Sequence, residues 1–423
     1  MKKLKILTLL LLTVILSACG KKEVTVPETV PTIEKEVPES TVYKEGTKME
    51  INDLIYYSNM EKSAIFLDNT YKEKKENTIV SPLSLNFALG MVAEGASNDT
   101  RKLLNLYLNS DDYGTYVEDY MKHTEDLNKE FESFDGKYKN VFEIANSVWI
   151  ADAKINPEYK KKVTDSYKAK IDKIDTSDSV GSAEKINSWI NEKTHKMIPS
   201  LITPLMIKPD TKSILVNTVY FESAWSEPWN YYEDYKKSFT DIDGNTTEIV
   251  YMTSEGYDYY ESETATAFSY PYKNNLSFIG ILPKKEGDFN TTDLKIEELL
   301  KNKVDSVKVF VEMPRLDFET EANTIKKMMS EIGMEKIFTD EAEFDKILEN
   351  KMLHIDDIIQ KCKIELDENG TKASAATAIM MLDNAVMMDD SEIKEIVLNR
   401  SFAFLIYDSE MNQVVFIGKV VRV

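Results

Sequence analysis

Thiols and imidazoles are scarce in this 423-residue chain: two cysteines, Cys19 and Cys362, and three histidines, His123, His195 and His354, set far apart. No CxxC and no Cys/His cluster offers metal-ligand spacing, so no metal site is expected. HExxH, the P-loop, GxGxxG and GxSxG are all missing, which leaves no motif for a cofactor or a reaction centre, and an enzyme is not expected. A Ser/His/Asp trio is defined by geometry rather than spacing, and nothing in the chain signals one. An excess of positive charge is lacking too. The 52 basic residues face 73 acidic ones, for a formal charge of −21. A field of that sign repels nucleic acid and anionic membrane surfaces, so neither is an expected partner. Long apolar runs are absent but for one, from Leu4 to Ala18, which at roughly 15 residues falls short of the 20 or so that a spanning helix needs.

That run has a different reading. Lys2 and Lys3 precede it, and it ends Leu16-Ser17-Ala18-Cys19-Gly20, the pattern of an export signal over 1–18 closing on a bacterial lipobox. Cys19 is the expected lipidation site and first mature residue, its acyl chains anchoring the protein in the membrane. An ordinary cleaved signal is the alternative. Residues 19–48 carry Pro27, Pro31 and Pro38 among dense charges; they cannot bury enough surface to fold and read as a tether. With Cys19 lipidated, Cys362 stands alone and no internal disulfide is expected. The domain at 49–423 is expected at the cell surface, outside the cytoplasmic membrane, as a monomer.

At 42% hydrophobic and 10% aromatic residues the chain is globular in composition, and 49–423 shows neither repeat nor second linker. Ile51, Leu54, Ile55, Ile65 and Phe66 lie on a helical stripe; Ala183, Ile186, Ile190 and Met197 lie on another, with Ser182 as a candidate cap. Further on, Val307, Val309 and Val311 alternate with Lys308 and Glu312, and Ile364 and Leu366 alternate with Lys363, Glu365 and Asp367, as strands do. Phe278–Leu282 and Val414–Ile417 read as buried strands, and Asp243-Gly244 as a hairpin turn. Helices followed by long blocks of strands predict an α+β fold.

Several segments, in order, carry a resemblance. They are Asn77 with Ser81-Pro82-Leu83-Ser84; Phe142–Ser147; Asn187-Ser188-Trp189-Ile190 with Glu192-Lys193-Thr194; Leu215–Phe221 with Trp225 and Pro228; Pro271-Tyr272; Leu282-Pro283; Gly333-Met334 with Phe338; and Ile396–Phe404 followed by Phe416–Val420. Together they resemble the serpin framework over about 50–423. The resemblance implies the serpin fold: helices around a large, mostly antiparallel central sheet, smaller sheets, and an exposed reactive loop near the C-terminus.

In that frame Glu368, Gly370, Thr371, Ala373, Ala375, Ala376 and Thr377 are the hinge of a loop that inserts into the large sheet after cleavage. The residues suit that task. If Thr371 faces the core, Ala373, Ala375, Thr377, Ile379 and Met381 face it too, while Lys372, Ser374 and Ala376 face away. Taken by themselves, Ala, Lys and Met favour helix. The resemblance implies a suicide-substrate inhibitor of extracellular serine proteases, with cysteine proteases as further targets and a covalent protease complex as product. The alternative is a non-inhibitory serpin that binds or carries. Counting from the hinge puts the scissile bond at Asn384-Ala385, whereas counting from the C-terminal signature puts it near Asp390; Leu382, Asp383, Met387 and Met388 are alternatives. Ser81, Asn217, Trp225 and Gln360 correspond to the shutter and breach that govern sheet opening. Gln360 replaces a histidine common in the family, and pairing to Asn217 and Ser81 is expected of its amide. Lys196-Met197 and Ser401 are further departures.

Overall fold

Chemistry at its N-terminus fixes where the first helix begins. Ser58 Oγ accepts the Glu61 N–H at 3.2 Å, and the Glu61 carboxylate accepts the Ser58 N–H at 2.8 Å. This reciprocal cap satisfies donors that an open helix end leaves orphaned. The helix runs Asn59–Lys74 and buries Ile65 and Phe66, whereas Ile51, Leu54 and Ile55 lie outside the described residues. The computed structural model describes residues 57–130, 139–151, 154–322, 325–349, 353–371 and 392–423. Compactness sets one unit at Tyr43–Val423. Among the described residues no helix is long and apolar enough to cross a membrane.

Eight α-helices and three sheets form the described part of this unit, an α+β fold. The two continuous apolar runs lie in strands Ser277–Pro283 and Gln413–Val420. Both are interior to a six-stranded sheet, ordered Thr78–Val80, Gln413–Val420, Phe402–Asp408, Ser277–Pro283, Ala265–Pro271, Asp258–Glu261. Val309 and Val311 are buried from strand Val307–Pro314 while Lys308 and Phe310 are exposed. The alternation stops at Glu312, which is buried against Lys237 Nζ at 2.6 Å and the Tyr235 hydroxyl at 2.9 Å. This strand belongs to a four-stranded sheet with Glu392–Val397, Thr246–Gly256 and Asn230–Thr240. Gly244, at φ +82°, turns the chain between the last two, in the left-handed region that glycine enters without steric penalty.

The helix expected behind Ser182 starts four residues earlier. Asp178 is its cap, accepting the Gly181 N–H at 2.9 Å, and the helix spans Ser179–Lys193. Ser182 lies within its first turn, exchanging hydrogen bonds with the Asp175 main chain at 2.9 Å, and Met197 lies beyond its end. Asp178 and Ser182 are both competent caps by type; the loop at Asp175 claims the serine and leaves the aspartate for the helix. Ile186, Trp189 and Ile190 of this helix pack with Ile214, Val216 and Ile359 on one face of the third sheet. The opposite face packs into the main core with helix Pro82–Glu94. That third sheet is ordered Leu316–Ala322, Asp357–Asp367, Gly370–Thr371, Ser213–Ala224, Val141–Ala151, Lys170–Ile174, and most of its pairings are antiparallel.

Candidate functional site: a sheet divided along its centre

Strands Ser213–Ala224 and Asp357–Asp367 run parallel but pair over three rungs only: Asp357 with Ile214, Ile358 with Leu215, Ile359 with Val216. Above these rungs no described residue pairs across from Asn217–Glu222 to Gln360–Glu365. The far edges are occupied, by Val141–Asn146 on one side and Asp317–Ala322 on the other. Two facing rims of main-chain donors and acceptors thus border a split in the middle of the sheet, and such rims are templates for a further strand.

One residue pair has already entered at the top. Gly370 stands opposite both Ala224 and Asp367, and Thr371 opposite both Ser223 and Leu366, antiparallel to either neighbour. A Cβ on Gly370 would collide with the Ser223 carbonyl oxygen and lie 2.8 Å from Ala224 Cα. Glycine is needed here for close approach of one backbone to another. Thr371 points inward: it is buried, and its hydroxyl lies 2.6 Å from that of Tyr272. Tyr272 stacks on Trp225, centroids 4.3 Å apart and planes inclined by 14°.

The turn that delivers these residues is held from several directions. Trp225 donates its indole N–H to Asp367 O at 2.8 Å and its main-chain N–H to Asn369 O at 2.9 Å, and the Trp229 N–H reaches Glu368 O at 2.8 Å. Arg315 donates to Glu368 Oε2 from Nε at 2.8 Å and Nη2 at 2.6 Å, with its guanidinium 3.6 Å from the Tyr231 ring centroid. Asp367 Oδ1 accepts N–H bonds from Asn369 at 2.8 Å and Gly370 at 3.3 Å. Burial pushes the Asp367 carboxyl up to about 6, with the Glu368 charge adding to the shift.

At the closed end, Gln360 Oε1 accepts the Ser81 N–H at 2.8 Å and its Nε2 donates to Ser81 O at 2.9 Å. One amide thereby ties the strand to the cap of helix Pro82–Glu94. Ser81 Oγ donates to Val415 O at 2.7 Å and accepts the Ser84 N–H at 3.3 Å. The expected bond from Gln360 to Asn217 is not formed, because the Ser81 main chain takes both ends of the amide. Asn217 instead donates to Asn146, its register partner on the adjacent strand, and its own carbonyl oxygen is left without a partner. Cys362, the free thiol, is buried with Sγ 3.4 Å from Gln360 Oε1; burial pushes its pKa up, away from the reactive thiolate. The histidines stay apart, each on its own carboxylate: His123 on Asp408, His195 on Glu143, His354 on Asp340. Among the described residues no group of three or more metal-ligating side chains gathers.

A family model, Serpin (serine protease inhibitor), matches residues 58–423. The chain belongs to the serpin family. An uncharacterized serpin-like protein of Methanosarcina mazei is 30% identical over 358 residues, covering 82% of this chain and 81% of that protein. Human neuroserpin is 25% identical over 368 residues, covering 82% and 86%. Among solved structures, the thermophilic serpin tengpin in its native state is 30% identical with a TM-score of 0.73, covering 86% of this chain and 94% of its own.

In this serpin the structure brings Glu368, Gly370, Thr371 and Trp225 together at the open end of the split, with Ser81, Asn217 and Gln360 around the closed end. Arg315 and Trp229 were not singled out by sequence; the partner of a charged side chain is set by the fold, and no spacing signals it. Asn146 and Tyr272 stand in resembling segments without a role attached. Hinge residues Ala373, Ala375, Ala376 and Thr377, the scissile-bond candidates Leu382, Asp383, Asn384, Ala385, Met387 and Met388, and Cys19 lie outside the described residues.

Two outcomes follow from this geometry. Gly370→Ala forces the hinge away from Ser223, so limited proteolysis after Thr371 becomes faster, at a stability loss of roughly 1–3 kcal/mol from a strained backbone. Unchanged cleavage would contradict the close-approach reading. The second concerns Asp367. Its folded-state pKa, about 6, exceeds the ordinary aspartate value of about 3.9, so the folded state binds the proton more tightly. Stability therefore falls as pH rises from about 4 to about 6. Asp367→Asn keeps an acceptor and removes the charge. Its Tm should exceed that of the unaltered protein at pH 7.5, with the gap closing towards pH 4; thermal melts across that range check it.

Proposed function

We propose that this serpin is a suicide-substrate inhibitor of serine proteases, held outside the cell by a lipid on Cys19. The observation that carries the reading is the position of Gly370 and Thr371, wedged at the open end of a split whose rims continue beyond them. If the loop inserted in the same register, residue 373 would stand opposite Phe221 and Ile364, 375 opposite Val219 and Cys362, and 377 opposite Asn217 and Gln360. Ala373, Ala375 and Thr377 are small enough to pass between closed rims, and Thr377 carries a hydroxyl to offer the unpaired Asn217 oxygen. No bulky, charged or proline residue stands at an inward hinge position, so nothing favours the non-inhibitory reading.

The chemistry belongs to the protease. Its serine Oγ attacks the carbonyl carbon at the scissile bond, the C–N bond breaks, the amine leaves with a proton, and an ester joins enzyme to loop. Insertion of the freed loop then carries the acylated protease along the sheet before water can hydrolyse the ester. Strand addition and release of stored strain are the physical sources of the motion, and serpin insertion is a recognised instance of both. The bond at Asn384-Ala385 follows from the hinge count. Cysteine proteases, which form thioesters by the same route, are secondary targets, and the inhibitor acts as a monomer.

The test mixes the whole protein with a panel of serine proteases. A band that survives denaturing gels is expected with at least one of them, and mass spectrometry of the released peptide locates the cut. Thr371→Arg, which places a guanidinium against Tyr272, should turn inhibitor into substrate. Cleavage by every protease with no covalent band, and no rise in Tm after the cut, would overturn the reading.

A further inference from the structure

We infer that Asp356 is a bolt across the closed end of the split: its carboxylate ties the feet of the two central strands together and sets how far down the sheet can part. The inference concerns rungs and side chains already in place and is independent of the inhibitory reading above.

The bolt begins where the ladder stops. Asp357 opposite Ile214 is the lowest of the three rungs. One residue further down, main-chain pairing gives way to side-chain bonds. Asp356 Oδ2 accepts the Lys212 N–H at 2.7 Å and the Ser213 N–H at 3.0 Å. Ser213 Oγ returns the link, donating to His354 O at 3.2 Å. Three bonds thus cross between the same two segments, in both directions, directly beneath the last rung. Ser213 is buried, so its N–H, left without the carboxylate, would have no water to replace it.

Each partner is itself held. Lys326 Nζ, from helix Ile325–Glu331, donates to Asp356 O at 3.0 Å. His354 Nε2 lies 3.4 Å from Asp356 Oδ1, and its Nδ1 lies 3.0 Å from Asp340 Oδ1. The ring stands between two carboxylates and braces the one that crosses. On the other strand, Lys212 O accepts the Ala151 N–H at 3.0 Å, which fastens the foot of Ser213–Ala224 to its outer neighbour.

A ladder open at one end parts rung by rung from that end, so whatever lies below the last rungs decides where parting stops. Parallel pairing is slightly weaker per residue than antiparallel pairing, and three rungs of it remain here. Hydrogen bonds to a carboxylate are roughly twice as strong as neutral ones. The strongest cross-links therefore sit beneath the weakest pairing. The other end of the same strand shows the contrast. There the Asp367 carboxylate closes its own turn, on the Asn369 and Gly370 N–H groups, whereas Asp356 reaches across to the neighbouring strand.

Amide hydrogen exchange on the whole protein tests this, with the C-terminal sheet as internal reference. In Asp356→Ala, the amides that point across between Ile214–Val216 and Asp357–Ile359 should exchange about tenfold faster, as amides do when a segment opens locally. Those between Phe404–Ile406 and Phe416–Gly418, paired in the C-terminal sheet, should keep their protection. Asp356→Asn keeps an acceptor oxygen without the charge and should show the same local change at about threefold; it carries the test if the alanine protein does not fold. Exchange unchanged at the rungs, or accelerated equally in both sheets, would overturn the inference. Neither result bears on protease trapping, which is read from the covalent band.

Discussion

The two central strands of the large sheet are joined at one end and parted at the other, and the rest of the molecule is arranged around that fact. Three rungs, from Asp357–Ile214 to Ile359–Val216, hold the lower end. Six residues on each rim above them have no ladder partner among the described residues. Each backbone hydrogen bond contributes about 0.5–1.5 kcal/mol net, so filling both rims with one strand would release on the order of ten kcal/mol. A split left unpaired among the described residues would hold that energy in reserve.

Opposite devices guard the two ends. At the open end, Trp225, Trp229 and the Arg315–Glu368 pair fix the turn that aims Gly370 and Thr371 into the split. Bare backbone at Gly370 lets the chain pass within contact of Ser223. At the closed end, a single amide, Gln360, ties the strand to the helix beneath by two hydrogen bonds to Ser81. An amide does not titrate, so this tie has the same strength across physiological pH, unlike one built on histidine. A titratable group lies at the other end, at Asp367, in the turn that leads to Gly370 and Thr371.

Much of this was legible in the residues. Alternation placed the strands at Val307 and Ile364, and continuous apolar runs placed the interior strands of the C-terminal sheet. Period-two spacing, once the resemblance supplies a strand, sets Thr371 towards the core, where it is found; the hinge residues after it lie outside the described residues. What escaped were choices among chemically equivalent partners. Ser182 and Asp178 can each cap a helix, and the Asp175 loop decides between them. Gln360 can bond Asn217 or Ser81, and the nearness of a main-chain N–H and C=O pair settles it. The need for glycine at 370 comes from a strand 146 positions away in the chain, which no local pattern reports.

Amide hydrogen exchange on the whole protein, before and after a single cut in the loop, tests the central claim most directly. Amides of Asn217–Glu222 and Gln360–Glu365 that point into the split should gain protection of at least about a hundredfold once a strand pairs with both rims, as amides do on moving from locally open to globally protected structure. Protection unchanged on both rims after cleavage would contradict the account.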